Sequence, residues 1–501
     1  MQTFSRVYSA QPHNLEGHII SVELDISPGI HKFTVIGLAG KAVDEARERV
    51  GSALKNGGWP SPKNTNNKTV ISLAPAEIPK YGSYFDVAMA LGYLLSRKAV
   101  HFDPESKIFL GELSLNGQVL PVKGVLPITQ TAQKLGFAEI YVPVDNAEEA
   151  ALVSDMTVYP IHTLDELIAH IDDRPKKQKR ITPQPPTPVH KDESIYNQGI
   201  VDMSEIKGQE SAKRGLEIAA AGGHNISMYG PPGTGKTTLA KALRGILPPL
   251  EIADALEVTG IHSIAGTLHT RVMTHPPFRS PHHTSSYVSI IGGGTKIKPG
   301  EVTLAHKGVL FMDEFPEFEP RVLESLRQPL EDKVVHIARA SGFALFPTNF
   351  ILVAALNPPP KDASPLEIQR HTKKISGPII DRIDIWVPVE HIEYAELHNK
   401  APSGEESATI RKRVLAARHR QYLRNNGVLN GMLTLKDIHT LIMTTDARTT
   451  LDKGAHMLGL SPRGYHRIIK LSRTIADLDG ADIIETGHIL EALNYRPKHS
   501  N

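Results

Sequence analysis

The chain has 501 residues, a formal net charge of +2, 40% hydrophobic and 22% charged residues, and no cysteine. That length exceeds one ordinary core and implies about three domains, while the missing cysteines exclude disulfides, thiol catalysis and cysteine-ligated zinc. So small a net charge leaves any nucleic-acid affinity to local patches.

Met1 to Gly17 has no apolar core of signal-peptide length and no later apolar run approaches a membrane span, so a cytoplasmic protein without a membrane partner is expected. Residues 1–173 alternate short apolar runs, Ile19-Ile20-Ser21-Val22-Glu23-Leu24 and Phe33-Thr34-Val35-Ile36, with helical spacing from Lys41 to Asn56, the pattern of an α/β domain. Through Val70-Ile71-Ser72-Leu73-Ala74-Pro75-Ala76-Glu77-Ile78-Pro79-Lys80 and Gly111-Glu112-Leu113-Ser114-Leu115-Asn116-Gly117-Gln118-Val119-Leu120-Pro121-Val122 it resembles the C-terminal proteolytic domain of Lon. In that register Tyr84 stands at the nucleophile position and Leu126 at that of the lysine base. A Ser/Lys dyad needs a hydroxyl and a desolvated amine within hydrogen-bond reach. Ser83 and Lys123 lie off register, and one residue of slip turns a strand side chain to the other face. The Lon-protease-like domain is therefore expected to be catalytically inactive. Residues 174–200, with Arg174-Pro175-Lys176-Lys177-Gln178-Lys179-Arg180 followed by Pro183, Pro185, Pro186 and Pro188, read as a basic, semi-extended linker.

An α/β ATPase domain is expected over residues 201–392. A helix from Ser211 to Ala221 and a short buried strand, Asn225-Ile226-Ser227-Met228-Tyr229, lead into Gly230-Pro231-Pro232-Gly233-Thr234-Gly235-Lys236-Thr237, and helical spacing resumes at Thr238. The loop fits G-x-x-x-x-G-K-[ST] at every fixed position and has the strand–loop–helix context that the motif needs. Its glycines let N–H groups turn inward as an anion nest, Lys236 reaches the β/γ-phosphates, and the Thr237 hydroxyl ligates Mg²⁺. Gly308-Val309-Leu310-Phe311-Met312-Asp313-Glu314 has the form of a Walker B strand, in which Asp313 holds Mg²⁺ and Glu314 polarises the attacking water. ATP and Mg²⁺ are the expected cofactors, held by Gly230 to Thr238 and Asp313. Phe350-Ile351-Leu352-Val353-Ala354-Ala355-Leu356-Asn357 ends in an amide suited to orienting that water or sensing the γ-phosphate, the role called sensor 1.

Two arginines follow. Gly377-Pro378-Ile379-Ile380-Asp381-Arg382-Ile383-Asp384 resembles the arginine-finger segment of AAA+ ATPases of the helix-2-insert clade, which implies that Arg382 reaches a neighbouring subunit's γ-phosphate. In an all-helical lid over residues 393–501, Leu460-Ser461-Pro462-Arg463-Gly464-Tyr465-His466-Arg467 resembles sensor 2, which implies that Arg463 closes the lid over bound nucleotide. The fold class is thus α/β: a Lon-protease-like N-terminal domain, an AAA+ P-loop module and a helical lid.

Nearly the whole chain resembles the Mg-chelatase-like AAA+ family of YifB and the competence protein ComM. The stretches that carry this are Gly37-Leu38-Ala39, Pro277-Phe278-Arg279-Ser280-Pro281-His282-His283-Thr284, Gly292-Gly293-Gly294 and Lys298-Pro299-Gly300-Glu301-Val302-Thr303-Leu304-Ala305-His306-Lys307-Gly308. The resemblance implies a Mg-ATP-driven homo-oligomeric ring, a hexamer, acting on single-stranded and branched DNA as a branch-migrating helicase in natural transformation. Family members follow the sensor-1 asparagine with cysteines that look like a zinc site; here Asn357-Pro358-Pro359-Pro360-Lys361-Asp362-Ala363-Ser364-Pro365 has none, so no zinc is expected. His262, His269, His275, His282, His283 and His306 crowd one region without metal-ligand spacing. Pore-loop positions assigned to DNA are Lys296, Lys298 and Arg339, the last in the turn Arg339-Ala340-Ser341-Gly342. A protein remodeller or chelatase-type chaperone using the same engine is the alternative, since polypeptide-threading rings use aromatic loop tips and phosphate tracking uses cations and backbone N–H groups.

Overall fold

A long antiparallel hairpin organises the N-terminal half. Strand β1 (Thr3–His13) pairs with β2 (Glu16–Pro28) from Thr3 opposite Ile26 to His13 opposite Glu16. Ile20, Val22, Leu24 and Ile26 of β2 alternate into the core while the residues between them stay half exposed, the period of two that one buried face requires. Strands β3 (Lys32–Ile36), β4 (Asn67–Ala74) and β5 (Lys107–Phe109) follow. β6 (Glu112–Leu113) and β7 (Val119–Leu120) pair with each other, and β8 (Glu139–Pro143) and β9 (Thr157–Ile161) complete a seven-stranded sheet of order β3-β4-β2-β1-β5-β8-β9. The helix Lys41–Asn56 forms over the expected residues and buries Val43, Ala46, Val50, Ala53 and Leu54, one apolar stripe at helical spacing.

This computed structural model describes residues 3–30, 32–38, 40–62, 66–174, 179–189, 200–294, 297–339, 342–358, 374–391 and 404–497. It divides into two units, Met1–His190 with Ala255–Val272, and Lys191–Asp254 with Met273–Asn501. It joins the expected ATPase domain and lid in one unit and differs from the sequence reading in two further places. Of the expected linker, residues 175–178 and 190–199 lie outside the described set, and 179–189 is no free tether. It lies along the first unit through Lys179 N–H to Ala169 O, Gln184 N–H to Val158 O (2.8 Å) and the Thr187 hydroxyl to Glu148 O (2.7 Å). Extended prolines leave carbonyls and the few remaining N–H groups free to bond sideways, so composition alone does not separate a strap from a linker.

The second difference is the stretch 255–272, expected within the ATPase domain and found in the first unit. Ser263, on the helix Ile252–Ala265, donates its hydroxyl to buried Glu149 and accepts from the Gly124 N–H at 2.9 Å. Glu149 also accepts from the Leu126 N–H at 2.8 Å. Leu126, which the sequence reading set at the position of the lysine base, is buried, and its backbone helps to seat this helix. Tyr84, at the nucleophile position, is 8% exposed, and burial pushes its phenol well above the usual range. The Ser83 hydroxyl bonds to the Glu112 carboxylate.

The second unit is a five-stranded sheet. Strand β10 (Ile226–Tyr229) is followed by β11 (Phe278–Arg279), the two-residue strands β12 (Gly292–Gly293) and β13 (Lys298–Pro299), β14 (Val309–Met312), the hairpin strands β15 (Val334–Arg339) and β16 (Gly342–Pro347), β17 (Ile351–Leu356) and β18 (Ile385–Pro388). The sheet order is β11-β14-β17-β10-β18 and every pairing in it is parallel. Both faces of such a sheet are covered, so β14 and β17 read as continuous apolar runs. Helices Ser407–Arg424, Thr445–Met457, Pro462–Asp479 and Thr486–Asn494 form the C-terminal region. Among the described residues no helix is long and apolar enough to cross a membrane.

Burial pushes the Glu149 carboxyl up, while the Ser263 hydroxyl and the Leu126 N–H hold it down. Ser263→Ala strips a buried carboxylate and the Gly124 N–H of a partner and should cost about 1–3 kcal/mol. In a Trp386→Phe background, Trp59 fluorescence reports the unit it lies in, and its urea midpoint should fall with an unchanged slope.

Candidate functional site

Strands of a parallel sheet deliver their following loops to one edge, the usual ligand position in such sheets. Here β10, β14 and β17 place the phosphate loop, Asp313-Glu314 and Asn357 at their carboxyl ends, with Tyr229 opposite Leu356 and Met312 opposite Ala354. The Gly230 N–H bonds to Leu356 O at 3.1 Å, and a Cβ at Gly230 would lie 1.9 Å from Val389 O, so the first loop glycine is demanded by the neighbouring backbone. Gly233 (φ 80°) and Gly235 (φ 91°) adopt left-handed conformations, and nothing lies within 4 Å of a Cβ built on either. The loop between them is therefore an open concavity, with Pro231 and Pro232 on its rim and the Thr234 hydroxyl closing it onto Pro231 O at 2.9 Å.

Lys236 opens the helix Lys236–Ile246 and is buried. Its ammonium donates to Gly230 O at 2.7 Å and Pro231 O at 2.8 Å. Burial lowers its pKa and the Asp313 carboxylate acts in the opposite sense. Thr237 and Thr238 are exposed on the same first turn. The Thr237 hydroxyl donates to Asp313 at 3.1 Å, and the other Asp313 oxygen accepts from the Glu314 N–H at 2.9 Å. A hydroxyl and a carboxylate in contact beside a lysine-lined anion cradle form the hard oxygen set that Mg²⁺ takes together with phosphate oxygens, so these residues fit both expected cofactors.

Glu314 has a left-handed backbone (φ 50°), uncommon for a residue with a side chain and a frequent mark of functional positions. That turn leaves its carboxylate 47% exposed and 3.0 Å from His283 Nδ1. Sequence reading placed His283 in a family-specific loop but gave it no role; its link to Glu314 depends on β11 lying beside β14, a pairing of strands that are distant in sequence. Asn357 is half-buried beyond β17. Three other histidines singled out in the sequence have partners of their own: His262 with Thr267 at 3.0 Å in the first unit, and in the second His282 with Thr284 at 2.9 Å and His306 with the Asn349 N–H at 3.0 Å.

The two arginines lie at the opposite edge of the sheet. The Asn225 side chain, one residue before β10, donates to Arg382 O at 3.0 Å, and its backbone N–H donates to Asp384 at 3.0 Å. Burial alone would raise the Asp384 pKa, but the Arg467 guanidinium and His224 hold it well below the usual carboxylate range. Arg382 is 7% exposed and ion-paired with Glu331. Arg463, at the start of the helix Pro462–Asp479, pairs with the other oxygen of the same carboxylate. At about 3.3 Å per residue, β10 separates Asn225 from Gly230 by roughly 16 Å. Arg463, which the sequence reading assigned to the lid over bound nucleotide, stands beside Arg382 on the shared Glu331 carboxylate. Nothing in the sequence marks Glu331.

Of the positions assigned to DNA, Lys298 is exposed on β13, Arg339 stands at the tip end of β15, and Lys296 lies outside the described residues, as does the chain from Pro359 to Lys373.

Three family descriptions match the chain: "Magnesium chelatase, subunit ChlI" over residues 202–397, "Subunit ChlI of Mg-chelatase" over 22–146, and "Magnesium chelatase, subunit ChlI C-terminal" over 404–496. The chain is 39% identical over 503 residues to competence protein ComM of Haemophilus influenzae, covering 98% of this chain and 97% of the relative. It is 38% identical over 490 residues to the uncharacterized protein YifB of Salmonella typhimurium, covering 95% of this chain and 94% of that one. A more distant likeness, 22% over 305 residues, is to the DNA replication licensing factor mcm7 of Xenopus tropicalis, covering 58% of this chain and 38% of the relative.

Lys236→Ala should abolish nucleotide binding, whereas Glu314→Gln should bind nucleotide and lose turnover by about 10²–10⁴-fold, because only the second removes a proton acceptor without touching the phosphate cradle. His283→Ala should leave nucleotide affinity in place and lower kcat by up to about 100-fold through a misplaced Glu314. Equilibrium binding of a fluorescent nucleotide alongside steady-state hydrolysis separates the three; equal loss of binding in all of them would contradict these roles.

Proposed function

The chain belongs to the Mg-chelatase-like AAA+ family, which makes it an AAA+ ATPase, and on that premise we propose that it is a ring-forming, Mg-ATP-dependent DNA helicase or translocase that drives branch migration in homologous recombination during natural transformation. The observation that best supports a ring is the separation within one chain of its two half-sites. The phosphate loop, Thr237, Asp313, Glu314 and Asn357 stand at one edge of the sheet, and Arg382 and Arg463 stand at the other, out of reach. A second copy facing the first would complete the set.

Bound Mg-ATP supplies a transferable γ-phosphoryl group whose charge grows at the oxygens in the transition state. The loop N–H groups from Gly230 to Lys236 bind the phosphates, and Lys236 exchanges two carbonyl partners for them. Thr237 and Asp313 hold Mg²⁺. Glu314 accepts a proton from the attacking water, Asn357 orients that water, and His283 holds the Glu314 carboxylate in place. Arg382 acts in trans on this reading and Arg463 closes the lid over bound nucleotide, so Glu331 must release both guanidinium groups as phosphates approach.

DNA as the substrate is supported by what the relatives are called, a competence protein and a DNA replication licensing factor, and by exposed Lys298 and the tip position of Arg339. One observation favours the alternative of a protein remodeller or chelatase-type chaperone. The hairpin β15–β16 exposes Phe343 and Leu345, apolar groups of the sort that polypeptide-threading loops use.

Mixing Arg382→Ala with Lys236→Ala subunits should partly restore hydrolysis at interfaces that pair an intact phosphate loop with an intact arginine; background rates at every ratio would rule out action in trans. Single-stranded DNA affinity should fall with salt at a log-log slope of about 0.7 per phosphate neutralised, and branched junctions should move with ATP but not with a non-hydrolysable analogue. Absent DNA binding, or migration without hydrolysis, would transfer the reading to the protein remodeller.

A further inference from the structure

A cavity of about 680 Å³ opens at the edge of the parallel sheet where its strands begin, with Asn225 and Asp384, the residues just before β10 and β18, in its wall. The phosphate loop leaves the other end of β10. The volume falls within the roughly 300–1,000 Å³ of small-molecule sites. The helix Pro462–Asp479 lines the cavity with Arg463, His466, Arg467 and Lys470, which recur at the three- and four-residue spacing of one helical face. Lys333 joins them from the turn before β15. Its backbone is left-handed (φ 56°), and its carbonyl accepts from the Thr348 N–H at 2.8 Å, which fixes the turn. Buried Leu330, Leu433 and Ile438 supply an apolar wall.

Three carboxylates line the same cavity, and two of them are committed. Glu331 takes Arg382 on one oxygen and Arg463 on the other. Asp384 is buried, pairs with Arg467, accepts from the Asn225 N–H at 3.0 Å and lies 3.6 Å from His224 Nδ1. The third, Asp332, is exposed and forms no ion pair among the described residues. The two half-buried amines are therefore poorly served. Among the described residues the Lys333 ammonium has no hydrogen bond or ion pair, and that of Lys470 has one long bond, to Gly431 O at 3.4 Å. Burial lowers the Lys333 pKa to about 8, with Asp384 opposing and Arg467 and Lys470 acting in the same sense as burial. Burial lowers that of Lys470 as well.

From this arrangement we propose that the cavity is a second anion site, which takes a small phosphate-bearing ligand on Lys333, Arg467 and Lys470. Amines and a guanidinium that converge on one space, beside an apolar wall and with their nearest carboxylate already saturated, gain most from a multiply charged oxyanion, because charge-assisted bonds strengthen where water is scarce. A phosphate offers several acceptor oxygens to donors arriving from a helix face and from a turn, which a single carboxylate does not. The site stands apart from the phosphate loop and is independent of the DNA reading above. Arg463 lines it too, so an anion there competes with Glu331 for that guanidinium and is thereby coupled to the arginine half-site.

The test is isothermal titration calorimetry of pyrophosphate against the full-length Lys236→Ala chain, in which the phosphate loop is disabled. One site per chain should remain. Adding Lys333→Met or Lys470→Met should weaken it by about 10-fold or more, whereas Lys333→Arg should keep it within about 3-fold, since only the methionines remove a charge-assisted bond. Each methionine keeps the apolar stem and removes a half-buried charge, so without pyrophosphate these variants should melt no lower than their parent, which separates lost binding from lost folding. ADP run in the same way tells the two sources of a phosphate group apart: tighter binding than pyrophosphate identifies the tail of a nucleotide, weaker binding a free anion. No pyrophosphate binding to Lys236→Ala, or binding that both methionine variants leave intact, would overturn the site. Oligothymidylate binding that Lys333→Met abolishes, with no binding of pyrophosphate, would overturn it in favour of a DNA strand. Mg-ATP binding and hydrolysis by Lys333→Met with an intact phosphate loop are measured alongside and should persist, so that failure of this site is distinguished from failure of the ATPase reading.

Discussion

Strand β10 is four residues long, and its two ends hold the two halves of the chemistry apart. At its start Asn225 ties down Arg382 and Asp384; at its finish Gly230 begins the phosphate loop against Leu356 and Val389. The Arg382 segment and the phosphate loop thus stand at opposite ends of one strand. The parallel arrangement of β14, β10 and β17 is what makes the separation rigid, because it fixes all carboxyl ends on one edge and all amino ends on the other.

Each half is held by contacts to the protein that ligand binding would replace. Lys236 sits on two loop carbonyls, Thr237 on Asp313, and Arg382 and Arg463 on Glu331. Hydrogen bonds of this kind keep buried charges satisfied, which matters because an unpaired buried charge is expensive. They also limit how tightly phosphate is bound, since each new contact is measured against the one it displaces. Glu331 differs from the rest in serving two arginines at once, so releasing either changes the field on the other. The two groups are thereby coupled without touching.

In the N-terminal unit Tyr84 and Leu126 are buried side chains that pack, and the backbone around Leu126 seats a helix through Glu149 and Ser263. Because 255–272 belongs to this unit while the chain before and after it belongs to the other, the two are joined by more than the segment around 190.

Local chemistry was legible in the sequence wherever it is contiguous. The phosphate loop, the helix Lys41–Asn56, the apolar strands β14 and β17 and the carboxylate pair Asp313-Glu314 each declare themselves within a few residues, because backbone conformation and burial of adjacent positions set the pattern. The hairpin strand β1 did not, since Thr3-Phe4-Ser5-Arg6-Val7-Tyr8 mixes polar residues that turn out to be buried, Ser5 and Ser9 among them, with an exposed phenylalanine. What only the tertiary structure decided are the encounters between distant segments: His283 with Glu314 across β11 and β14, Arg382 and Arg463 on Glu331, Ser263 on Glu149, and the outward face of Phe343 and Leu345. A sequence records which groups are present and how neighbours along the chain are spaced. Which carboxylate a guanidinium meets depends on strand order and on how the edges of the sheet are filled, and those are properties of the packed chain.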